Sequence, residues 1–330
     1  MLYSTIEQVQ FDLNVTCNAF CPGCHRYAFV DNQMYLNPHL NFNSNISTDI
    51  IERVMKNPRL SDDVWVDMVG LVGEPIAHKD FLLITDIIYK YRPNANLNIH
   101  TNGGLRSVEF FTALGDKIKR QGPGSSVTFS IDGLEDTNNI YRIGVIWEKV
   151  MENAKAIVST GANVTWKCIE FPWNTHQQNE IEQSAKNMNM NFRWEHNRDK
   201  GSKRMELYMD AINNRFHKKT PAPINVNPNA EIGQGYALGF PEIKDRCFDE
   251  KSIYINYDGR VLPCCMFNAA TTDEQYMKEI DSFIYGTDSE WNNLHTNSLE
   301  EVMDNMWWKM LFNSLTTAPC TVCVHSCEKR

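Results

Sequence analysis

Through its first two hundred residues the chain alternates short apolar runs with longer amphipathic stretches. Phe11, Leu13 and Val15 alternate with polar neighbours in FDLNVTC, which predicts a strand entering a loop. Residues 27–46 are polar, rich in asparagine and without period, so they read as loop. Ser47 is placed to cap a helix whose Ile50, Ile51, Val54 and Met55 share one side, and Pro58 ends it. VWVDMVGLVGEP (64–75) reads as a strand entering a glycine-rich turn, followed by a helix over 78–91. The strand LNIHTNGG (97–104), a helix opened by Ser107 and the strand SVTFSIDGL (126–134) come next. A helix over 147–159 follows, with Gly161 just past its end, then the strand VTWKCIEF (164–171), a helix over 176–190 and the strand NFRWEH (191–196).

Strand–helix alternation with short connections predicts parallel strands joined by right-handed crossovers. Six strands fall short of an eight-stranded barrel, and an ordinary doubly wound sheet fits the pattern too. Cys17, Glu74, Asn102, Asp132 and Asn174 all fall in loops after strand C-termini, the edge at which α/β folds bind ligands. Residues 198–217 read as a helix packing through Met205, Leu207, Tyr208 and Ile212. The stretch 220–242, rich in proline and glycine, lacks period. SIYINYDGRVLPCC (252–265) reads as a hairpin turning at Asp258-Gly259, and 298–315 as one helix. The expected division is residues 1–218, a linker or lid over 219–244, and a cysteine-bearing module over 245–330.

Charge and cysteine content narrow the function. A formal net charge of -9 argues against nucleic-acid and membrane binding. No signal peptide and no apolar run of transmembrane length is apparent, so a cytoplasmic location is expected. In that compartment ten cysteines are not disulfide material, and nine of them fall in two sequence clusters, 17–24 and 247–327. Two metal centres are the expectation. No P-loop, dinucleotide glycine signature or His-Glu-x-x-His is present.

Cys17-x3-Cys21-x2-Cys24 puts three thiols on one loop with no fourth ligand nearby. Three thiolates can hold three irons of a [4Fe-4S] cluster and leave the fourth iron open; zinc is the competing reading. With Gly73-Glu74-Pro75 at the end of the second predicted strand, this loop resembles that of the radical S-adenosylmethionine (SAM) enzymes. The resemblance implies a partial (β/α)6 barrel followed by a small α+β auxiliary-cluster domain. It implies that Gly73, Glu74 and Pro75 help bind the methionine amino group. Asn102, Ser130, Asp132 and Arg142 would contact the carboxylate and ribose. Many members carry an aromatic residue before the third cysteine, near adenine. Here that position is Gly23, and Tyr27 or Trp194 is the expected substitute.

The second half resembles SPASM modules and their shortened twitch form through Cys247-x11-Gly259-x4-Cys264 and Cys320-x2-Cys323. The resemblance implies one auxiliary [4Fe-4S] cluster on Cys247, Cys264, Cys320 and Cys323. Cys327 is an alternative to Cys323, Cys265 a buried bystander, and structural zinc the competing metal. The implied activity is that of an oxidoreductase or rearrangement enzyme, fed by an external one-electron donor such as flavodoxin or ferredoxin. A 5′-deoxyadenosyl radical would take a hydrogen atom from a small polar metabolite such as a sugar or amino-alcohol derivative. The alternatives are crosslinking or epimerisation of a ribosomally made peptide, and a non-enzymatic metal scaffold that binds a partner protein. Absence of a peptide-binding domain before residue 11 argues mildly against the peptide. Cys168, if it faces the cavity, could return a hydrogen atom to a substrate radical; otherwise it packs as a small apolar side chain. Glu170 is a candidate substrate ligand or proton acceptor.

Overall fold

The computed structural model describes residues 4–30, 33–197, 203–217, 249–270, 290–317, 320, 322–323 and 327. Its strands are β1 (Ile6–Phe11), β2 (Tyr27–Val30), β3 (Gln33–Leu36), β4 (Leu60–Met68), β5 (Asn96–Thr101), β6 (Ser126–Ser130), β7 (Val164–Ile169), β8 (Asn191–Glu195), β9 (Ser252–Ile255) and β10 (Val261–Leu262). Helices α1 (Thr48–Met55), α2 (Phe81–Tyr91), α3 (Val108–Lys119), α4 (Asn138–Tyr141), α5 (Trp147–Ser159), α6 (Gln178–Asn187) and α7 (Lys203–His217) punctuate the first eight. The main sheet runs β10-β9-β1-β4-β5-β6-β7-β8. Its six strands from β1 to β8 are parallel and stand in chain order, as the alternation predicts. This is an α/β fold with a mixed sheet, because β10 pairs antiparallel to β9.

The sheet has one apolar and one polar face, set by side-chain alternation along each strand. Val66, Ile99, Phe129 and Trp166 lie on the fully buried side with Ile84, Phe111, Ile157 and Ile181 of the helices. The opposite side carries Gln8, Asp67, Asn98, His100, Thr128 and Lys167 in adjacent registers. Asn98 Nδ2 donates to Asp67 Oδ1 at 2.7 Å, and Gln8 Nε2 donates to Asp67 Oδ2.

The C-terminal segment continues this sheet. β9 pairs parallel to β1, with Gln8 opposite Ser252 and Phe11 opposite Ile255. Gly259, at φ +78°, makes the expected hairpin turn. The expected linker, 219–244, lies outside the described residues, as does Cys247.

Three expectations need correction. The alternation of Phe11, Leu13 and Val15 predicts the first strand there, but β1 is Ile6–Phe11, and Leu13 and Val15 are buried in the turn that leads to Cys17. The stretch 27–46 contains an antiparallel hairpin, Tyr27 opposite Leu36 through Val30 opposite Gln33. Its runs YAFV and QMYL are too short for a period to stand out among polar neighbours. The single helix over 298–315 is two, Leu299–Asp304 and Met306–Thr317. Asn305 breaks it at φ −60°, ψ 139°, and its Oδ1 accepts from Trp307 N–H at 2.9 Å, capping the second helix.

Candidate cofactor site at the carboxyl ends of the strands

The cysteine loop is stitched to the Gly73-Glu74 turn before any cofactor is considered. Asn14 Oδ1 accepts from Thr16 N–H at 2.7 Å and turns the chain into Cys17. Glu74 N–H donates to Thr16 O at 2.8 Å, and Asn14 Nδ2 donates to Glu74 O at 3.0 Å. The two segments approach so closely that a Cβ at Gly73 would collide with the Asn14 carbonyl oxygen. Gly73→Ala is therefore expected to destabilise the chain by about 3 kcal/mol, read by denaturant unfolding. An unchanged midpoint would mean that the turn can shift freely.

All three thiols receive N–H donors. Ala19 N–H donates to Cys17 Sγ and Arg26 N–H to Cys24 Sγ, each at 3.4 Å. Asn102 Nδ2 lies 3.7 Å from Cys17 Sγ, and Arg142 Nη1 lies 3.7 Å from Cys21 Sγ. Burial pushes Cys17 and Cys21 up to about 12 and Cys24 to about 11. A buried thiolate needs a compensating cation, and the iron of a cluster supplies one. Among the described residues no group of three or more His, Cys, Asp or Glu is arranged around a single metal ion. Three thiols with this donor set fit a multi-iron cluster.

Glu74 is 4% exposed, and its Oε2 accepts from Asn102 N–H at 2.8 Å. Its Oε1 is buried without a hydrogen-bond partner. Burial raises this carboxyl to about 7, against the lowering effects of the Asn102 N–H, the Thr101 hydroxyl, the Arg142 charge and the Ile76 N–H. A buried carboxylate oxygen left open beside the cysteine loop fits an ammonium group, so the residues present suit the methionine end of SAM.

The other candidates are already engaged. Asn102 Nδ2 also donates to Asn18 Oδ1 at 2.8 Å, and its Oδ1 accepts from Gly104 N–H at 2.8 Å. Asp132 Oδ1 accepts from Ile169 N–H at 2.7 Å, while Oδ2 accepts from Arg142 Nε at 2.6 Å. Asp132 thus aims Arg142 at the cysteine loop. Ser130, buried, ends β6 one register row from Asp132. Pro75 opens a short 3-10 turn (Pro75–Ala77).

Gly23 differs from the expected aromatic for a visible reason. A Cβ there would collide with the Tyr141 hydroxyl and lie 2.9 Å from that of Tyr208. Tyr27 is buried and donates to Ala19 O at 3.1 Å, bracing the loop. Trp194 is half-buried on β8 opposite Cys168, its ring 6.4 Å from that of Phe192.

Cys168 lies on the apolar face with Trp166 and is fully buried, while Lys167 takes the polar face. Asn174 Nδ2 donates to Cys168 Sγ at 3.6 Å, and burial raises the thiol well above its ordinary range. Of the two readings of Cys168, these surroundings match the packed apolar side chain. Glu170 Oε2 pairs with His196 Nδ1 at 2.6 Å.

In the second cluster, Cys320 and Cys323 are buried with their sulfurs 3.4 Å apart. Cys264 and Cys327 are half-buried, and so is Cys265, which was expected to be buried. Sequence reasoning missed Asp12, which joins this module to the first site. Asp12 Oδ1 accepts from Leu71 N–H at 2.8 Å, and Leu71 O lies 3.7 Å from Cys24 Sγ. Its Oδ2 accepts from the Tyr254 hydroxyl on β9. Asn268, four residues past Cys264, donates to that hydroxyl oxygen at 2.9 Å.

Residues 247–328 match the SPASM family, an iron–sulfur cluster-binding domain. The chain is 22% identical over 290 residues to GTP 3′,8-cyclase of Nautilia profundicola, covering 83% of this chain and 85% of that one. Streptococcus suis SuiB bound to its precursor peptide SuiA superposes with a TM-score of 0.56 at 13% identity, over 97% of this chain and 76% of that one. The enzyme anSMEcpe with bound AdoMet and Cp18Cys peptide gives 0.55 at 14% identity, over 97% and 88%.

Proposed function

We infer that this chain, a radical SAM enzyme with a C-terminal SPASM domain, modifies a peptide. The buried, unpartnered Glu74 Oε1 beside three N–H-bonded thiols carries the reading of the site. When bound, a [4Fe-4S] cluster and SAM supply an electron and a 5′-deoxyadenosyl group that takes a hydrogen atom from an unactivated carbon.

Around that chemistry the chain's own residues have the following roles. Cys17, Cys21 and Cys24 would hold the cluster, and Glu74 Oε1 would accept from the methionine ammonium, within the turn of Gly73 and Pro75. Asn102, Ser130 and Arg142 line the place of the carboxylate and ribose, with Asp132 orienting Arg142. Tyr27 braces the loop on the adenine side, where Trp194 is the second aromatic candidate. Cys247, Cys264, Cys320 and Cys323, or Cys327 in place of Cys323, hold one auxiliary cluster that passes an electron. Glu170, with His196, is positioned at the strand end to accept a proton. The six parallel strands are read as a partial barrel over 1–218, with 219–244 as its cover and 245–330 as the auxiliary module. A flavodoxin or ferredoxin is the electron source, in the cytoplasm. Among the described residues no helix is long and apolar enough to cross a membrane.

The substrate assignment changes from the expectation of a small metabolite. Similarity to SuiB with its precursor peptide and to anSMEcpe with the Cp18Cys peptide favours a peptide. A small polar metabolite is the second reading, favoured by the polar face that carries Gln8, Asp67 and Asn98.

The test is 5′-deoxyadenosine release by anaerobically reconstituted, reduced protein, with and without short peptides encoded near its gene. Release is expected from the intact chain and abolished in a Cys17→Ala/Cys21→Ala/Cys24→Ala variant. Equal release by both proteins would overturn the assignment of the loop. Stimulation by extracted small metabolites and by no peptide would overturn the substrate class.

A further inference from the structure

Among the described residues, the polar face of the sheet holds a charge that its neighbours do not balance. Lys167 on β7 stands in register between Ser130 of β6 and Arg193 of β8. Its side chain is 15% exposed, and its nearest carboxylate oxygen, Glu195 Oε2, is 3.9 Å away, beyond hydrogen-bond reach. Glu195 is already taken, because its Oε1 binds Arg193 Nε at 3.1 Å. The next carboxylate, Asp132, is committed to Arg142 at 2.6 Å. The charged groups that act on Lys167 are Glu195, Arg142, Asp132 and Arg193. With Lys167 itself, three cations among the described residues therefore act together with two carboxylates.

His100 on β5 gives an independent view of the same field. It is in register with Thr128 of β6, two strands from Lys167 on the same face. Burial holds it down to about 3, and the charges that act on it are Lys167, Arg193 and Arg142, all cations. Its imidazole is neutral at physiological pH and can donate one hydrogen bond. Among the described residues no carboxylate comes within hydrogen-bond distance of the Lys167 ammonium, and a carboxylate ligand there would offset the excess positive charge around it.

We propose that Lys167, with the His100 imidazole two strands away, forms a subsite on the polar face of the sheet that binds a carboxylate of the substrate. This deepens the peptide reading, on which it rests only for the identity of the ligand: a C-terminal or acidic side-chain carboxylate. The subsite lies one register row below Asp132 and Arg142, so a peptide anchored there extends toward the candidate cofactor site. Lys167 is on the opposite face of β7 from Cys168, whose thiol is walled into the core.

N-acetylglycine mimics a peptide C-terminus, and N-acetylglycinamide is its neutral control. Thermal unfolding of the reconstituted chain is followed with each at constant ionic strength, with and without saturating SAM. N-acetylglycine is expected to raise the melting temperature of the natural chain, and the amide is not. Lys167→Met is expected to melt higher than the natural chain without additive and to bind N-acetylglycine at least about tenfold more weakly. Lys167→Arg is expected to keep the response. Equal responses in the natural chain and Lys167→Met would overturn the subsite, and so would a lower melting temperature for Lys167→Met, which would make the lysine structural. A response that vanishes with saturating SAM would assign the carboxylate to methionine instead. None of these readouts needs hydrogen abstraction, so failed 5′-deoxyadenosine release and a failed subsite are separate results.

Discussion

Replacing Glu74 by Gln is expected to make the cofactor-free chain more stable at pH 8 and nearly blind to SAM. The carboxyl is fully enclosed, with one oxygen on Asn102 N–H and the other unpartnered. Burial raises it from an ordinary 4.5 to about 7, so the folded chain holds this proton more tightly than the unfolded chain. For an acid raised in this way the contribution to stability is full below pH 4.5 and lost as pH rises through 7. The loss amounts to about 3 kcal/mol. Gln carries no charge at either pH, so Glu74→Gln gains relative to the natural chain at pH 8 and is close to it at pH 4.5. The ligand reverses this order. An ammonium on Oε1 makes the charged form favourable, and a hydrogen bond between charged groups contributes about 1.5–3 kcal/mol, roughly 10–150-fold in affinity. Calorimetric titration with SAM and denaturant melts at the two pH values check both halves. A Glu74→Gln chain that is less stable at pH 8 would show that the carboxylate serves the fold rather than a ligand.

How much of this was legible in the sequence depends on how far each partner lies along the chain. Cys17, Cys21 and Cys24 share one loop, and Gly73-Glu74-Pro75 is contiguous, so spacing alone exposes them. Five of the six parallel strands are legible because each strand and helix has its own period, whereas the alternation that predicts the first, Phe11, Leu13 and Val15, runs from the end of β1 into the buried turn after it. The weld between the two loops is not, because it depends on Asn14, an ordinary polar residue sixty positions from its acceptor at Glu74. Strand alternation puts Lys167 and Cys168 on opposite faces, yet only the pairing of β7 with β6 and β8 decides which face is polar. That pairing puts Cys168 in the core and Lys167 on the polar face. Asn305 misleads for a local reason: an apolar stripe continues across it while its side chain caps the following helix.

Tyr254→Phe is expected to be the most damaging conservative change outside the two cysteine clusters. The hydroxyl, fully buried, donates to Asp12 Oδ2 and accepts from Asn268 Nδ2 at 2.9 Å. Phe keeps the ring's packing but strands a buried carboxylate oxygen, and Asn268 Nδ2 loses its 2.9 Å acceptor beside a 3.5 Å contact to Asp12 Oδ2. The expected cost is about 2–4 kcal/mol. The pH dependence separates this from loss of packing. Burial raises Asp12 from 3.8 to about 6, and the Tyr254 and Leu71 bonds hold it below where burial alone would take it. Removing the phenol therefore raises it further. The chain is most stable with Asp12 protonated, so its contribution is present below pH 3.8 and lost as pH rises through 6, by about 3 kcal/mol. Tyr254→Phe should lose more at pH 8 than at pH 5, and Asp12→Asn in the same chain should remove the difference. A cost that does not vary with pH would assign the effect to packing. Leu71, held by Asp12 Oδ1, lies against Cys24, and Asn268 follows Cys264. With the cluster placed on Cys17, Cys21 and Cys24 as proposed, the same variant should alter the electron paramagnetic resonance signal of the reconstituted chain while leaving those three cysteines in place. β9 and the helix Cys265–Ala270 thus reach the first cysteine loop through one buried carboxylate, which ties the segment that matches the SPASM model to that loop.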